Sequence, residues 1–166
     1  MMGSHQLIAK CTMYEEAVRV PMLVKLPGQK EMYRIKGPVS QVDVVPTLLE
    51  LMNVSKPESI EGKSLAGVMK GEETHTPEDT IIEWQGVNNG FGGDDPRKVE
   101  VPDEWLALAS RERAVDAIQD PLRTVISADG RWKLNVSPVL GEHELYDLDE
   151  DPYETENIID RNDVQN

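Results

Sequence analysis

The sequence predicts an α/β portion followed by a small antiparallel-sheet α+β subdomain. Three observations carry this. A short apolar run at 22–26 is closed by Pro21 on one side and Pro27-Gly28 on the other, and a stretch with helical spacing follows it. Asp129-Gly130 stands between two alternating segments, the strongest short-range signal for a β-hairpin. A further strand-like segment, Glu144–Leu148, follows shortly after.

The elements follow in chain order. Met22–Leu26 reads as a buried strand, because it is short, apolar and bounded by turn residues. Between 38 and 53 the apolar residues Val42, Val45, Leu48, Leu49 and Met52 recur at helical spacing. Ser40 or Asp43 is the expected N-cap, Pro46 fits the first turn where its missing N–H costs little, and Asn53 suits the C-cap. Residues 55–77 are rich in Gly, Pro, Ser and Glu and form a connection with one apolar turn at Leu65–Met69. The boundary between a first portion, 1–77, and a second, 78–166, falls at its end. Thr80–Gln85 reads as a strand. Residues 86–104 form a long loop, a length that tends to be functional or mobile, and Glu104–Ile118 shows helical spacing, so 86–118 is an inserted loop-helix. Leu122–Ser127, Trp132–Val136 and Glu144–Leu148 are strands, Asp149–Tyr153 turns the chain, and Glu154–Ile159 is expected as a last short helix.

Composition narrows the function classes. The 166 residues are 39% hydrophobic and 29% charged, as in a folded globular chain. No apolar run approaches the roughly 18–20 residues of a membrane-spanning helix, so no membrane partner is expected. The net charge of -14 is unevenly spread. Lys10, Arg19, Lys25, Lys30, Arg34 and Lys36 make the first forty residues basic, and the remainder is strongly acidic. An acidic surface repels phosphates, so no nucleic-acid partner is expected, and an anion site belongs in the basic opening. A strand near residue 20 with few candidate neighbours suggests a piece of something larger. Its two open edges predict self-association.

Several segments together carry a resemblance. Residues 14–28, YEEAVRVPMLVKLPG, and 39–51, VSQVDVVPTLLEL, are similar to two consecutive segments of the formylglycine-dependent sulfatases. Gly62, Ser64, Leu65 and Gly71 fall where that family has G-x-S-L and a further Gly. Residues 123–134, RTVISADGRWKL, and 144–157, ELYDLDEDPYETEN, resemble its carboxy-terminal pair of signatures. The chain thus resembles the carboxy-terminal portion of a sulfatase. The implied fold is the end of an alkaline-phosphatase-like α/β domain followed by the small carboxy-terminal subdomain.

The resemblance also implies a chemistry. Sulfatases use a formylglycine made from Cys or Ser in a Cys/Ser-x-Pro-x-Arg pentapeptide, and a divalent metal, usually calcium, that holds the sulfate oxygens. Cys11 is followed by Thr-Met-Tyr, so this sequence has no such pentapeptide. The implied ligand Asp cluster lies upstream, and no metal site and no cofactor are expected in these residues. Gly3, His5 and Lys10 match the family's G-x-H and the Lys before its Y-E-E segment, which would place the opening just after a metal-binding Asp. The resemblance makes Lys10 the cation that stabilises charge on the leaving oxygen; composition alone reads it as a solvated surface lysine. His5 either contacts sulfate or helps protonate the leaving group, or it is a structural or exposed histidine. Arg19 is expected to pair with a carboxylate beneath the strand it opens. Trp132 and Tyr146 are expected to pack the small sheet, and Asp147, Asp149, Glu150 and Asp151 to form a strand-end turn. That acidic run lacks the Gly and terminal Glu of a calcium loop.

The expected function is the carboxy-terminal part of a sulfate-ester hydrolase whose nucleophile and metal come from a missing amino-terminal catalytic part. On its own the chain is expected to be inactive. The alternatives are a non-catalytic interaction module and a phosphonate or phosphate monoester hydrolase of the same superfamily.

Overall fold

A computed structural model describes residues 4–6, 12–85, 100–101 and 103–161. They form two compact units. One contains residues 21–80 and 127–130, and the other is drawn from 1–20, 81–126 and 131–166.

The first unit is built on α2 (Val44–Leu51) and α3 (Ala66–Lys70). A 3-10 turn, Gln41–Asp43, leads into α2, and the Ser40 hydroxyl accepts from the Val42 N–H. Of the two caps that the sequence offers, Ser40 thus satisfies a free amide at the start of this turn. Asp43 acts elsewhere, since its Oδ1 accepts from the Lys63 N–H at 2.9 Å. Met52 occupies the C-cap, and Asn53 follows it in the left-handed region at φ 55. Asn53 N–H bonds Glu50 O and Val54 N–H bonds Leu49 O, both at 2.8–3.0 Å, which is the paired ending of a Schellman motif.

A buried hydroxyl ties the two helices together. Thr47 Oγ1 donates to Asp43 O at 2.6 Å and accepts from Leu65 N–H at 2.9 Å. The loop passes close by at Gly62, where φ is +79 and a Cβ would lie 2.5 Å from Val42 O. Only glycine fits there. Asp43, Thr47, Gly62 and Leu65 all belong to the sulfatase-like segments, and here they interlock one short helix pair.

Met22–Leu26 is not a strand. The segment is extended, and Leu23 is 96% exposed. A buried strand needs partners on both sides, and among the described residues it has none. Its apolar character therefore stays on the surface.

The second unit holds a four-stranded sheet in the order β1 (Thr80–Glu83), β2 (Arg123–Ile126), β3 (Trp132–Val136), β4 (Glu144–Asp147). β2–β3 and β3–β4 are antiparallel, with Thr124 opposite Asn135 and Lys133 opposite Tyr146. The expected helix at 104–118 is two pieces, α4 (Asp103–Leu106) and α5 (Arg111–Gln119). Ser110 breaks them because its side chain accepts from Arg113 N–H and starts a new helix. The rest of the proposed insertion, 86–99 and Pro102, lies outside the described residues.

The last expected helix, 154–159, is absent. Asp151 instead accepts from the amides of Thr155 and Glu156 and from the Thr155 hydroxyl. Burial pushes the Asp151 carboxyl up, but these hydrogen bonds together outweigh it and hold the group below its ordinary value. Glu154 takes a left-handed backbone at φ 54. Asn157 then pins the tail to β4, accepting from Leu145 N–H and donating to His143 O, both at 3.0 Å. Asp147 takes a bidentate ion pair from Arg131, with contacts of 2.6–3.1 Å, which holds its carboxyl below the usual range. The acidic run 147–151 is therefore the strand-end turn that the sequence predicts. Among the described residues no helix is long and apolar enough to cross a membrane.

Candidate functional site

The inward face of β3 is polar. Lys133 and Asn135 are buried, whereas Trp132, Leu134 and Val136 between them are only partly covered. Strand alternation sends successive side chains to opposite faces, so this face also carries Thr124 of β2 and Glu144 and Tyr146 of β4. Thr124 Oγ1 donates to Asn135 Oδ1 at 2.6 Å, and Asn135 Nδ2 donates to Glu144 Oε2 at 2.9 Å.

The short helix α1 (Glu15–Val18) belongs to the same unit. Lys133, fully buried, places its Nζ 3.1 Å from Glu15 Oε1 and 2.8 Å from Glu154 Oε1. Glu154 Oε2 accepts from the Glu15 N–H at 2.5 Å. Two carboxylates thus face one buried ammonium, and the exposed Arg19 guanidinium lies 3.7 Å from the other oxygen of Glu15. Burial pushes the Glu154 carboxyl up, although the Glu15 amide and Lys133 pull the other way.

Tyr14 opens α1 and reaches back to the same face. Its hydroxyl donates to Glu144 Oε1 at 3.3 Å, and its ring meets Tyr146 edge-on at 6.3 Å between centroids. Burial, then the nearby Glu144 carboxylate, raises the pKa of both tyrosines, so both hydroxyls stay protonated donors.

His5 stacks flat on Tyr14, with centroids 3.8 Å apart and planes 2° from parallel. Its Nε2 lies 3.8 Å from Glu16 Oε2, and its side chain is mostly covered. The backbone at His5 is left-handed, φ 52, a strained state for a non-glycine residue. His5 is therefore neither loose nor fully exposed. Lys10 lies outside the described residues. Arg19 does not pair beneath a strand: its guanidinium is 82% exposed and 3.7 Å from Glu15, one turn away on its own helix. Among the described residues no group of three or more His, Cys, Asp or Glu is placed to hold a metal ion. His143 Nδ1 instead accepts from Ser137 N–H, and His75 Nε2 lies 3.1 Å from Pro38 O.

The sequence points to His5 and Lys10 and gives no sign of Tyr14, Glu15, Lys133 and Glu154 as a group. All four lie inside the sulfatase-like segments, so their presence is visible. Nothing in their spacing shows that they meet.

The family described as N-sulphoglucosamine sulphohydrolase, C-terminal, matches residues 3–86, just over half the chain. An uncharacterized sulfatase of Escherichia coli, YidJ, is 30% identical over 73% of this chain and 24% of its own length. The N-acetylglucosamine-6-sulfatase of Bos taurus is 28% identical over 91% of this chain and 28% of its own length. The solved structure of a 2-O GAG sulfatase overlaps at a TM-score of 0.47, with 23% identity, over 72% of this chain and 20% of that one. The chain spans about a quarter of the length of the two curated relatives.

Proposed function

Because this chain belongs to the N-sulphoglucosamine sulphohydrolase C-terminal family, and so is the carboxy-terminal portion of a sulfatase, we propose that it completes an enzyme that hydrolyses sulfate esters, with His5 and Lys10 contacting the sulfate group. The match that carries this reading covers both residues. In the reading, a formylglycine nucleophile and a divalent metal, usually calcium in the family, come from residues upstream of this sequence.

The chemistry left to this chain is electrostatic. A sulfate ester carries one negative charge, and more develops on the leaving oxygen as the S–O bond breaks. An ammonium fixed beside that oxygen stabilises the transition state more than the ground state. Lys10 has this role. His5, gripped by the Tyr14 ring and near the Glu16 carboxylate, offers a ring N–H to a sulfate oxygen or a proton to the leaving group.

Steady-state kinetics test the reading. The 166-residue chain alone is expected to turn over no aryl sulfate above a heat-killed control. In the enzyme completed by its upstream portion, Lys10→Ala is expected to lower kcat/KM by about 10²–10³-fold, the loss typical of one preorganised charge-stabilising donor. Arg at this position should restore little, because a planar fork does not replace a compact ammonium. Activity of Lys10→Ala within about twofold of the parent would return Lys10 to an ordinary surface lysine.

A further inference from the structure

We propose that Lys133 is a positioning residue: clamped between Glu15 and Glu154, it fixes α1 against the sheet and thereby sets where the Tyr14–His5 stack lies. The functional value of that position rests on the sulfate-contact reading of His5. The positioning itself does not.

The geometry supports this on three counts. First, α1 is only four residues long and buries none of them fully, so apolar packing of the helix itself is slight. Among the described residues, the Glu15 carboxylate on Lys133 and the Glu15 amide on Glu154 join it to the sheet and the tail, and the preceding Tyr14 reaches Glu144 through its hydroxyl. The contacts of Glu15 run through the Lys133 cluster. Second, Lys133 and Glu154 are enclosed, where a lost partner leaves an uncompensated charge and an alternative arrangement is costly. Third, among the described residues of this unit the two non-glycine residues with left-handed backbones belong to the chain of contacts: His5 at one end, φ 52, and Glu154 at the other, φ 54. Strain of this kind persists only where surrounding contacts overdetermine it.

Replacing a buried ion pair as a whole by neutral groups of similar shape is often tolerated, while removing one partner is not. Two variants are therefore needed, Lys133→Met and the double variant Lys133→Met/Glu154→Gln. Hydrogen exchange and NMR on the 166-residue chain read both. In the double variant, exchange of the Glu15, Ala17, Val18 and Arg19 amides is expected to accelerate at least about tenfold while the β2–β4 amides keep their protection, the pattern of a local opening. The His5 ring resonances should lose the shift that stacking on Tyr14 imposes.

Two results would overturn the proposal. In one, the α1 amides and His5 resonances keep their parent values. In the other, the sheet loses protection in parallel with α1 in both variants, which makes Lys133 a prop of the sheet only. Titration with inorganic sulfate, carried out on the enzyme completed by its upstream portion, separates the two readings. If His5 of the parent ignores sulfate while its resonances still depend on Lys133, the positioning stands and the sulfate contact falls. If His5 responds to sulfate equally in parent and double variant, the contact stands and the positioning falls.

Discussion

Replacing Thr47 by Val keeps the shape of the side chain and removes its hydroxyl. The site is nearly sealed, since Thr47 is 3% and Leu65 5% exposed. In the parent the hydroxyl accepts from Leu65 N–H and donates to Asp43 O. In the variant the Leu65 amide is left buried without an acceptor. A stranded buried donor costs about 1–3 kcal/mol, and the lost hydrogen bonds add roughly 0.5–1.5 kcal/mol, so Thr47→Val should destabilise this helix pair by about 2–4 kcal/mol. Thr47→Ser keeps the hydroxyl and loses one methyl, worth about 0.8 kcal/mol. Tryptophan fluorescence is the wrong readout, because Trp84, Trp105 and Trp132 all lie in the other unit. Hydrogen exchange at the Leu65 and Met69 amides reads the right one. If Thr47→Ser costs as much as Thr47→Val, methyl packing rather than the hydroxyl joins the helices, and the reasoning is refuted.

Two further outcomes are expected. Burial holds the folded Glu154 carboxyl above its ordinary value of 4.5, so just above that value the folded state keeps a proton that the unfolded chain has released. The stability this group contributes is complete below 4.5 and is lost as pH climbs through the folded pKa. Lys133 and Glu15 face the group. Glu154→Gln cannot titrate, so its thermal melts should decline less between about pH 4 and pH 7, and equal slopes for parent and variant would contradict the assignment. The extended segment with exposed Val20, Met22, Leu23 and Val24 should drive concentration-dependent self-association in light scattering, weakened by Leu23→Lys. A monomer at every concentration would refute this.

Much of the fold is legible in the sequence where the cause is local. Ser40 starts its helix, Asp129-Gly130 turns its hairpin, and 147–151 closes the strand end. Legibility fails where a distant residue decides. Alternation along Trp132-Lys133-Leu134-Asn135-Val136 points the apolar residues inward, yet Lys133 and Asn135 are the buried ones. Their partners, Glu15, Glu154, Thr124 and Glu144, supply the polar satisfaction that the alternation rule takes for granted. The tail after Asp151 fails as a helix for the same reason, since Glu154 turns into the interior to meet Lys133. A strand at 22–26 follows from composition alone, and composition does not supply neighbours. Of the candidate site, His5 is visible through its motif, while the clamp joins residues more than a hundred positions apart.

That separation has a consequence for biogenesis. The Glu15 amide waits for a carboxylate 139 residues further along. At synthesis rates of roughly 5–20 residues per second, Glu154 leaves the ribosome on the order of 10 s after Glu15. Throughout that interval the Glu15 amide lacks its acceptor. The Glu15–Glu154 contact therefore forms only after the chain as far as Glu154 has been made. Truncations that remove Glu154 should leave α1 open to proteases.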